Sequence, residues 1–211
     1  MEKTYDCVIL ASGDYPSHPI ACEVLEHAKN VICCDGAAQE YIRRGRLPLA
    51  IVGDGDSLPR AIKEQYAELV HTVKEQEYND LTKATRYAFE QGFKNIAFLG
   101  CTGKREDHTL GNISLLTYYQ RVFQIHPIMI TDHGFFTPAV GTRTFSSFAK
   151  QQVSIFRLSG KEFASEGLRW ASYPYEEWWQ GTLNEALADS FTIYSDGTYI
   201  IYQTYEGKRD E

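Results

Sequence analysis

The chain has 211 residues, 43% of them apolar, which is enough for one large domain or two small ones around a real core, and it reads as globular. Its formal charge of −7 argues against a binder of nucleic acid or of an anionic membrane, because affinity for polyphosphate comes from clustered Lys and Arg. The cysteines Cys7, Cys22, Cys33, Cys34 and Cys101 are odd in number and form no C-x-x-C pair, the opening MEKTYDCVILASG is too short for a signal peptide, and no run has the length of a membrane span; the expectation is buried thiols in a cytoplasmic protein.

Over the first 130 residues one rhythm repeats: a short apolar run, a polar loop with Gly or Asp, then a helical pattern. Strands are predicted at residues 6–11, 31–34, 49–52, 69–73, 95–99 and 125–130. A helix follows Asn79, its predicted N-cap, with Leu81, Ala84, Thr85, Ala88 and Phe89 on one face. Another runs from near Asp107 to about Phe123, with Leu110, Ile113 and Leu116 or Thr117 turned inward. Such alternation predicts right-handed βαβ units, hence an α/β domain over residues 1–133 with a parallel sheet and helices on both faces. After about residue 134 the helical pattern stops. Residues 141–148, 152–158, 190–194 and 198–205 read as strands, and Asp196-Gly197 is a hairpin signal between the last two. A smaller antiparallel β-sandwich domain is therefore expected over residues 138–211, with the boundary between 132 and 138.

The unusual polar residues all follow predicted strands, where ligands bind in open α/β sheets. Ser12-Gly13-Asp14, Asp35-Gly36, Gly53-Asp54-Gly55-Asp56-Ser57, residues 77–80 and the Gly100 to Asp107 stretch would face one crevice with an acidic centre. In an extended segment, Asp54 and Asp56 at i, i+2 point the same way, which outlines a site for a hard cation such as magnesium. Asp80 and Lys83 share the first turn of a helix, where a Lys opposes the dipole and points to an anion nearby. Gly103, Lys104 and Arg105 at a helix N-terminus make an anion site, though Gly100 and Gly103 are spaced too closely for a P-loop. His108 and Asn112 share a face just beyond it.

These segments, CDGA (34–37), GDGDS (53–57), EQEYNDLTKA (75–84), GCTGKREDHTLGN (100–112), GLRW (167–170) and GTLNEA (181–186), resemble the thiamine pyrophosphokinase family, bacterial type, and stand in its order through both domains. The chain departs from the family pattern at Lys104, where a Gly is usual, at Asn79 for Thr, and at Leu183 for the Ser that contacts thiamine in relatives.

The resemblance implies transfer of the diphosphate of ATP to thiamine, with Mg2+ held by Asp54, Asp56 and Asp80, and with Lys83 and Arg105 neutralising developing charge. Asp35, Asp107, His108 and Asn112, with Gly103 and Lys104, would shape the nucleotide shell; Asp80, rather than Asp56, is assigned the hydroxyl proton. Trp170 would stack on the thiamine cation, with Asn184 beside it, and Trp178 and Trp179 are assigned to surface or dimer packing. A homodimer is implied, with thiamine between the α/β domain of one subunit and the β domain of the other. The other readings are a diphosphokinase for another heterocyclic alcohol, such as a hydroxymethyl pterin, and a non-catalytic MgATP sensor.

Overall fold

In the computed structural model, which describes residues 4–208, the chain divides between Asp132 and His133 into two units. The first runs β1 (Cys7–Leu10), α1 (Pro19–Glu26), β2 (Val31–Cys34), α2 (Ala37–Arg43), β3 (Ala50–Gly53), α3 (Arg60–Gln65), β4 (Val70–Thr72), α4 (Asp80–Glu90), β5 (Asn95–Leu99), α5 (Glu106–Val122) and β6 (His126–Ile130). Its strands are parallel in the order β4-β3-β2-β1-β5-β6. β1, β2 and β3 are buried at every position, as uninterrupted apolar runs such as CVIL require in a sheet covered on both sides.

The chain walks outward from β1 to β4, then returns through α4 to the far side of β1 as β5. Right-handed crossovers then put α1, α2 and α3 on one face and α4 and α5 on the other. The strand order reverses between β1 and β5, the position where such sheets bind ligands beyond the carboxyl ends of their strands.

α4 starts at its predicted cap, where Asn79 Oδ1 accepts the Thr82 amide at 3.0 Å. Leu81, Ala84, Thr85 and Ala88 are buried, but Phe89 is 36% exposed, with Phe123 beside it and Lys94 Nζ 4.3 Å from its ring centroid. On α5, Leu116, Tyr119 and the following Phe123 form the buried face, and Leu110 is 55% exposed. Six positions separate Leu110 from Leu116, about 120° off a shared face at 3.6 residues per turn, so the two cannot both turn inward. Four of the five thiols, Cys7, Cys33, Cys34 and Cys101, are buried and free, while Cys22 is half-buried.

Asp6 pins the start of β1 to the start of β5. Its Oδ2 accepts the Asn95 amide at 2.8 Å, the Lys94 amide at 3.0 Å and Asn95 Nδ2 at 3.2 Å. The Asn95 amide contributes most to holding this carboxyl below its ordinary value of 3.8. A depressed folded-state value stabilises the fold above the ordinary one, and that stability disappears as pH falls through the folded value. Asp6→Asn is therefore expected to lower the urea midpoint at neutral pH and to flatten the decline seen on acidification below about pH 5. Identical acid dependence in both proteins would overturn this role for Asp6.

The second unit runs β7 (Gly134–Val140), β8 (Arg143–Ser146), β9 (Gln151–Arg157), β10 (Phe163–Glu166), β11 (Asn184–Glu185), β12 (Ser190–Ser195) and β13 (Thr198–Gly207). Residues 134–137, left between the two expected domains, lie in β7. Two antiparallel sheets form, β11-β9-β13-β7 and β10-β12-β8. Alternate residues of both, among them Val153, Ile155, Phe191, Ile193, Tyr199 and Ile201, fill the core between them as in a β-sandwich.

Asp196-Gly197 makes no hairpin, because β12 pairs with β8 and β10 while β13 pairs with β7 and β9. The Asp196 carboxylate instead accepts the amides of Lys161 and Glu162, at 2.7 and 3.0 Å, and the turn arches from one sheet to the other. Among the described residues no helix is long and apolar enough to cross a membrane.

Candidate functional site

β2 ends at Cys34, opposite Val52, and β3 runs one residue further to Gly53, so the residues that follow the two strands emerge close together. Asp35 and Asp54 are those residues, and the N-terminus of α4 brings Asp80 to the same place. One oxygen from each of the three lies within 4.8 Å of the other two. Gly53 makes this approach possible, since a Cβ there would stand 2.8 Å from Asp35 Cβ and 3.2 Å from Asp80 Oδ1.

Asp35 is 3% exposed and adopts φ +33°, a left-handed conformation disfavoured for a residue with a Cβ. The Ser57 amide holds its Oδ2 at 2.8 Å. Burial pushes the Asp35 carboxyl above its ordinary range, the Ser57 amide opposes this, and the charges of Asp80 and Asp54 push it further up. Asp54 is held below its range by the Asp56 amide at 3.0 Å and by Gln76 Nε2 at 3.3 Å.

Asp56 stands outside the group of three and is exposed. The segment is not extended: the Asp56 amide turns back onto Asp54 Oδ1, and Gly55 takes φ +85°. The i, i+2 argument therefore does not apply here, and Asp35 occupies the place that the spacing offered to Asp56. Lys83 is 3% exposed, with Nζ 3.3 Å from Asp80 Oδ1. An ammonium so buried, with this carboxylate as its ion-pair partner, is no solvated surface pair.

At the switch point the loops after β1 and β5 are stitched through their backbones. Ala11, Gly13 and Asp14 amides bond to the carbonyls of Leu99, Gly100 and Thr102 at 2.8, 2.6 and 2.8 Å, and Lys104 Nζ donates to Ser12 O at 2.7 Å. Gly103, at φ +98°, lies against the Asp14 carboxylate, where any Cβ would collide. Beside these loops a cavity of about 280 Å3 is lined by Ser12, Gly13, Asp14, Tyr15, Gly36 and Lys104, among others. Arg105 and Asp107 are exposed and paired, Nε to Oδ1 at 3.1 Å and the second nitrogen to Oδ2 at 2.6 Å. His108 is exposed on the same turn. Asn112 points elsewhere: its Nδ2 donates to Cys101 O at 2.9 Å and its Oδ1 accepts from Asn79 at 3.3 Å.

In the second unit the two segments that carry Trp170 and Asn184 are joined. A bridge links Leu168 to Ala186, and Asn184 bonds both main-chain groups of Trp170, its Oδ1 accepting the amide at 3.2 Å and its Nδ2 donating to the carbonyl at 2.7 Å. Asn184 Oδ1 also accepts the Glu185 amide at 2.8 Å, and the residue is buried. It holds the main chain of Trp170. Trp170 itself is 52% exposed, with the Arg169 guanidinium 5.2 Å from its ring centroid, which fits a platform and not a core residue. Trp178 and Trp179 are exposed as well.

Sequence reasoning passed over Gln76, which bonds Asp54; Lys63, whose Nζ would be 3.3 Å from a Cβ on Gly55; and the Arg169–Glu185 pair at 3.4 Å. Arg169 and Glu185 were legible as neighbours of Trp170 and Asn184. Gln76 lay in the EQEYNDLTKA segment with no role given to it, and Lys63 carried no signal, because the fold and not the local sequence brings it beside Gly55.

Comparison with known proteins accounts for most of the chain. A family profile described as "Thiamin pyrophosphokinase, catalytic domain" matches residues 21–129, and one described as "Thiamin pyrophosphokinase, substrate-binding domain" matches residues 134–202. Thiamin pyrophosphokinase 1 of Caenorhabditis elegans is 33% identical over 114 residues, 50% of this chain and 46% of that protein. Thiamine pyrophosphokinase 1 of Oryza sativa subsp. japonica is 28% identical over 46% of each. The chain thus spans about half the length of the curated relatives it matches. Among solved structures, thiamine pyrophosphokinase from Bacillus subtilis superposes with a TM-score of 0.76 at 23% identity, over 95% of this chain and 99% of that one. Thiamin pyrophosphokinase from Candida albicans gives 0.76 at 16% identity, over 96% and 90%. These two likenesses establish the fold.

Proposed function

Because the chain belongs to the thiamin pyrophosphokinase family, both of whose domain profiles it matches in order, we propose that it transfers the diphosphate group of ATP to the hydroxyl of thiamine, giving thiamine diphosphate and AMP. The observation that carries the reading is the meeting of Asp35, Asp54 and Asp80 beside the buried Lys83 at the carboxyl ends of a parallel sheet. An all-oxygen set of this kind fits Mg2+, and these three carboxylates would hold it. The ion would neutralise charge on the phosphates of ATP.

The protein's own groups do the rest. In the transfer, the hydroxyl oxygen of thiamine bonds to the β phosphorus of ATP, the bond from that phosphorus to the α–β bridging oxygen breaks, and AMP leaves with the oxygen. Lys83, fixed against Asp80 Oδ1, offers its ammonium to the transferred group without reorganising. We assign the hydroxyl proton to Asp80 Oδ2, the oxygen that Lys83 leaves for it. The cavity beside Ser12 to Tyr15 would take the nucleotide, with Lys104 on its wall and Arg105 at the adjoining turn. Trp170 would stack on thiamine, a cation with two aromatic rings, for about 0.5 to 2 kcal/mol.

Trp170→Ala is accordingly expected to raise KM for thiamine about three- to thirtyfold and to leave KM for ATP nearly unchanged. Equal effects on both would make Trp170 a structural residue. We also propose that the protein works as a homodimer with thiamine taken at the subunit interface. The exposed Trp178, Trp179 and Leu183 supply apolar surface for pairing, and sedimentation of the purified protein would test it.

The decisive assay is purified protein with MgATP and thiamine, measuring AMP and thiamine diphosphate together. Equal amounts of both are expected. ADP as product would exclude diphosphate transfer, activity only with a hydroxymethyl pterin would change the acceptor, and tight MgATP binding with no AMP would make the protein a sensor.

A further inference from the structure

We propose that Tyr119, Thr82, Asn79 and Asn112 form a positioning chain that sets the N-terminus of α4, and with it Asp80 and Lys83, against the Gly100 to Lys104 loop. The side chain of Tyr119 is fully buried in α5, and its hydroxyl meets Thr82 Oγ1 at 2.9 Å. Thr82 Oγ1 in turn reaches Asn79 Oδ1 at 2.8 Å. Asn79 Nδ2 donates to Asn112 Oδ1 at 3.3 Å, and Asn112 Nδ2 to Cys101 O at 2.9 Å.

The chain has one direction. Asn79 Oδ1 accepts both the Thr82 amide and the Thr82 hydroxyl, so the single hydroxyl proton of Thr82 is committed there. Tyr119 must then donate to Thr82, and each later nitrogen donates onward until the chain ends on a carbonyl. A phenol kept protonated by burial is a donor at every working pH. Reversing the first link would turn the lone pairs of Thr82 Oγ1 toward the carbonyl oxygen of Asn79, acceptor against acceptor, so Tyr119 is the donor to Thr82.

Two points along it matter for the site. Asn79 caps the helix that opens with Asp80, and Cys101 lies in the loop stitched to the loop after β1. The start of α4 and the Gly100 to Lys104 loop are thereby set relative to each other by four side chains. Asn112 thus belongs to this chain.

This inference rests on the proposed function only for its activity measurements. The test compares Tyr119→Phe and Thr82→Val, which remove one hydroxyl each at nearly constant shape, with Thr82→Ser, which keeps it. Amide exchange of the protein without ligands is expected to accelerate about tenfold at residues 80–83 and 101–104 in the first two variants and to stay within about twofold in α1 and α2. Their half-saturating Mg2+ concentration should rise about fivefold and kcat fall about tenfold, with KM for thiamine within about twofold. Thr82→Ser should match the parent protein in all of these. Exchange raised alike in every helix, with kcat and Mg2+ dependence unchanged, would overturn the proposal in favour of a role in global stability, and so would no change in any measurement. If Thr82→Val does not fold, Tyr119→Phe against Thr82→Ser makes the same decision. If the parent protein forms no AMP, the functional reading fails, and the exchange pattern alone decides the chain.

Discussion

Asp54→Asn is expected to lower turnover at least about a hundredfold while the protein stays folded. Asparagine keeps the shape of the side chain and one acceptor oxygen, so the turn held by the Asp56 amide can persist. What it removes is one full negative charge from three carboxylate oxygens gathered within 4.8 Å. Charge and position of the cation dominate phosphoryl-type transfer, and a neutral amide supplies neither as well. Asp80→Asn should act as strongly and should also cost stability, because it leaves the buried Lys83 without its ion-pair partner. Asp56→Asn should lose less than about tenfold, since Asp56 lies outside the group of three. Steady-state rates of AMP release beside melting curves would check all three, and near-normal activity in both Asp54→Asn and Asp80→Asn would remove the metal assignment.

Gly53→Ala should be comparably severe by a different route. The added methyl would sit 2.8 Å from Asp35 Cβ and 3.2 Å from Asp80 Cγ and Oδ1, in the space where two carboxylate-bearing residues converge. Neither neighbour is the free end of a flexible chain: Asp35 is buried and bonded to Ser57, and Asp80 is fixed by Lys83 and by the start of α4. Overpacking of this kind costs about 1–3 kcal/mol, and the displacement should reduce turnover about a hundredfold or more. Gly55→Ala is the control. It strains a φ of +85° but meets only the movable Lys63 Nζ at 3.3 Å, so it should lose about 1 kcal/mol and keep activity within about tenfold. Equal loss of activity in the two variants would show that the loop as a whole, and not the approach of carboxylates, is what matters.

The parallel strands were readable because a strand buried on both faces must be a short apolar run, and VICC and NIAFL have no other use. The cap at Asn79 was readable because capping is local. What escaped was set by contacts between distant residues. Asp35 joins Asp54 only because β2 and β3 are paired neighbours, and a period-2 count along one segment cannot see this. Asp196-Gly197 has the composition of a hairpin turn, but the partners of β12 and β13 lie up to 70 residues away, as Thr204 and Gly134 do, so the dipeptide could mark the turn without telling which sheet each strand enters. The role of Asn112 was hidden for the same reason, since its partners are Asn79 and Cys101 and neither is its helical neighbour.

The place of β13 bears on how the protein is made. It is the last of these strands in chain order, yet it lies between β9 and β7, pairing with both. The four-stranded sheet of the second unit therefore cannot close while the ribosome is still adding residues 198–207, and β7 must wait with an open edge throughout synthesis. All described strands of the first unit are complete by Ile130, so Asp35, Asp54 and Asp80 can gather before β13 has been made. Assembly is thus sequential by construction, and a chaperone or an early stop in translation would meet a finished acidic crevice attached to an unfinished sandwich.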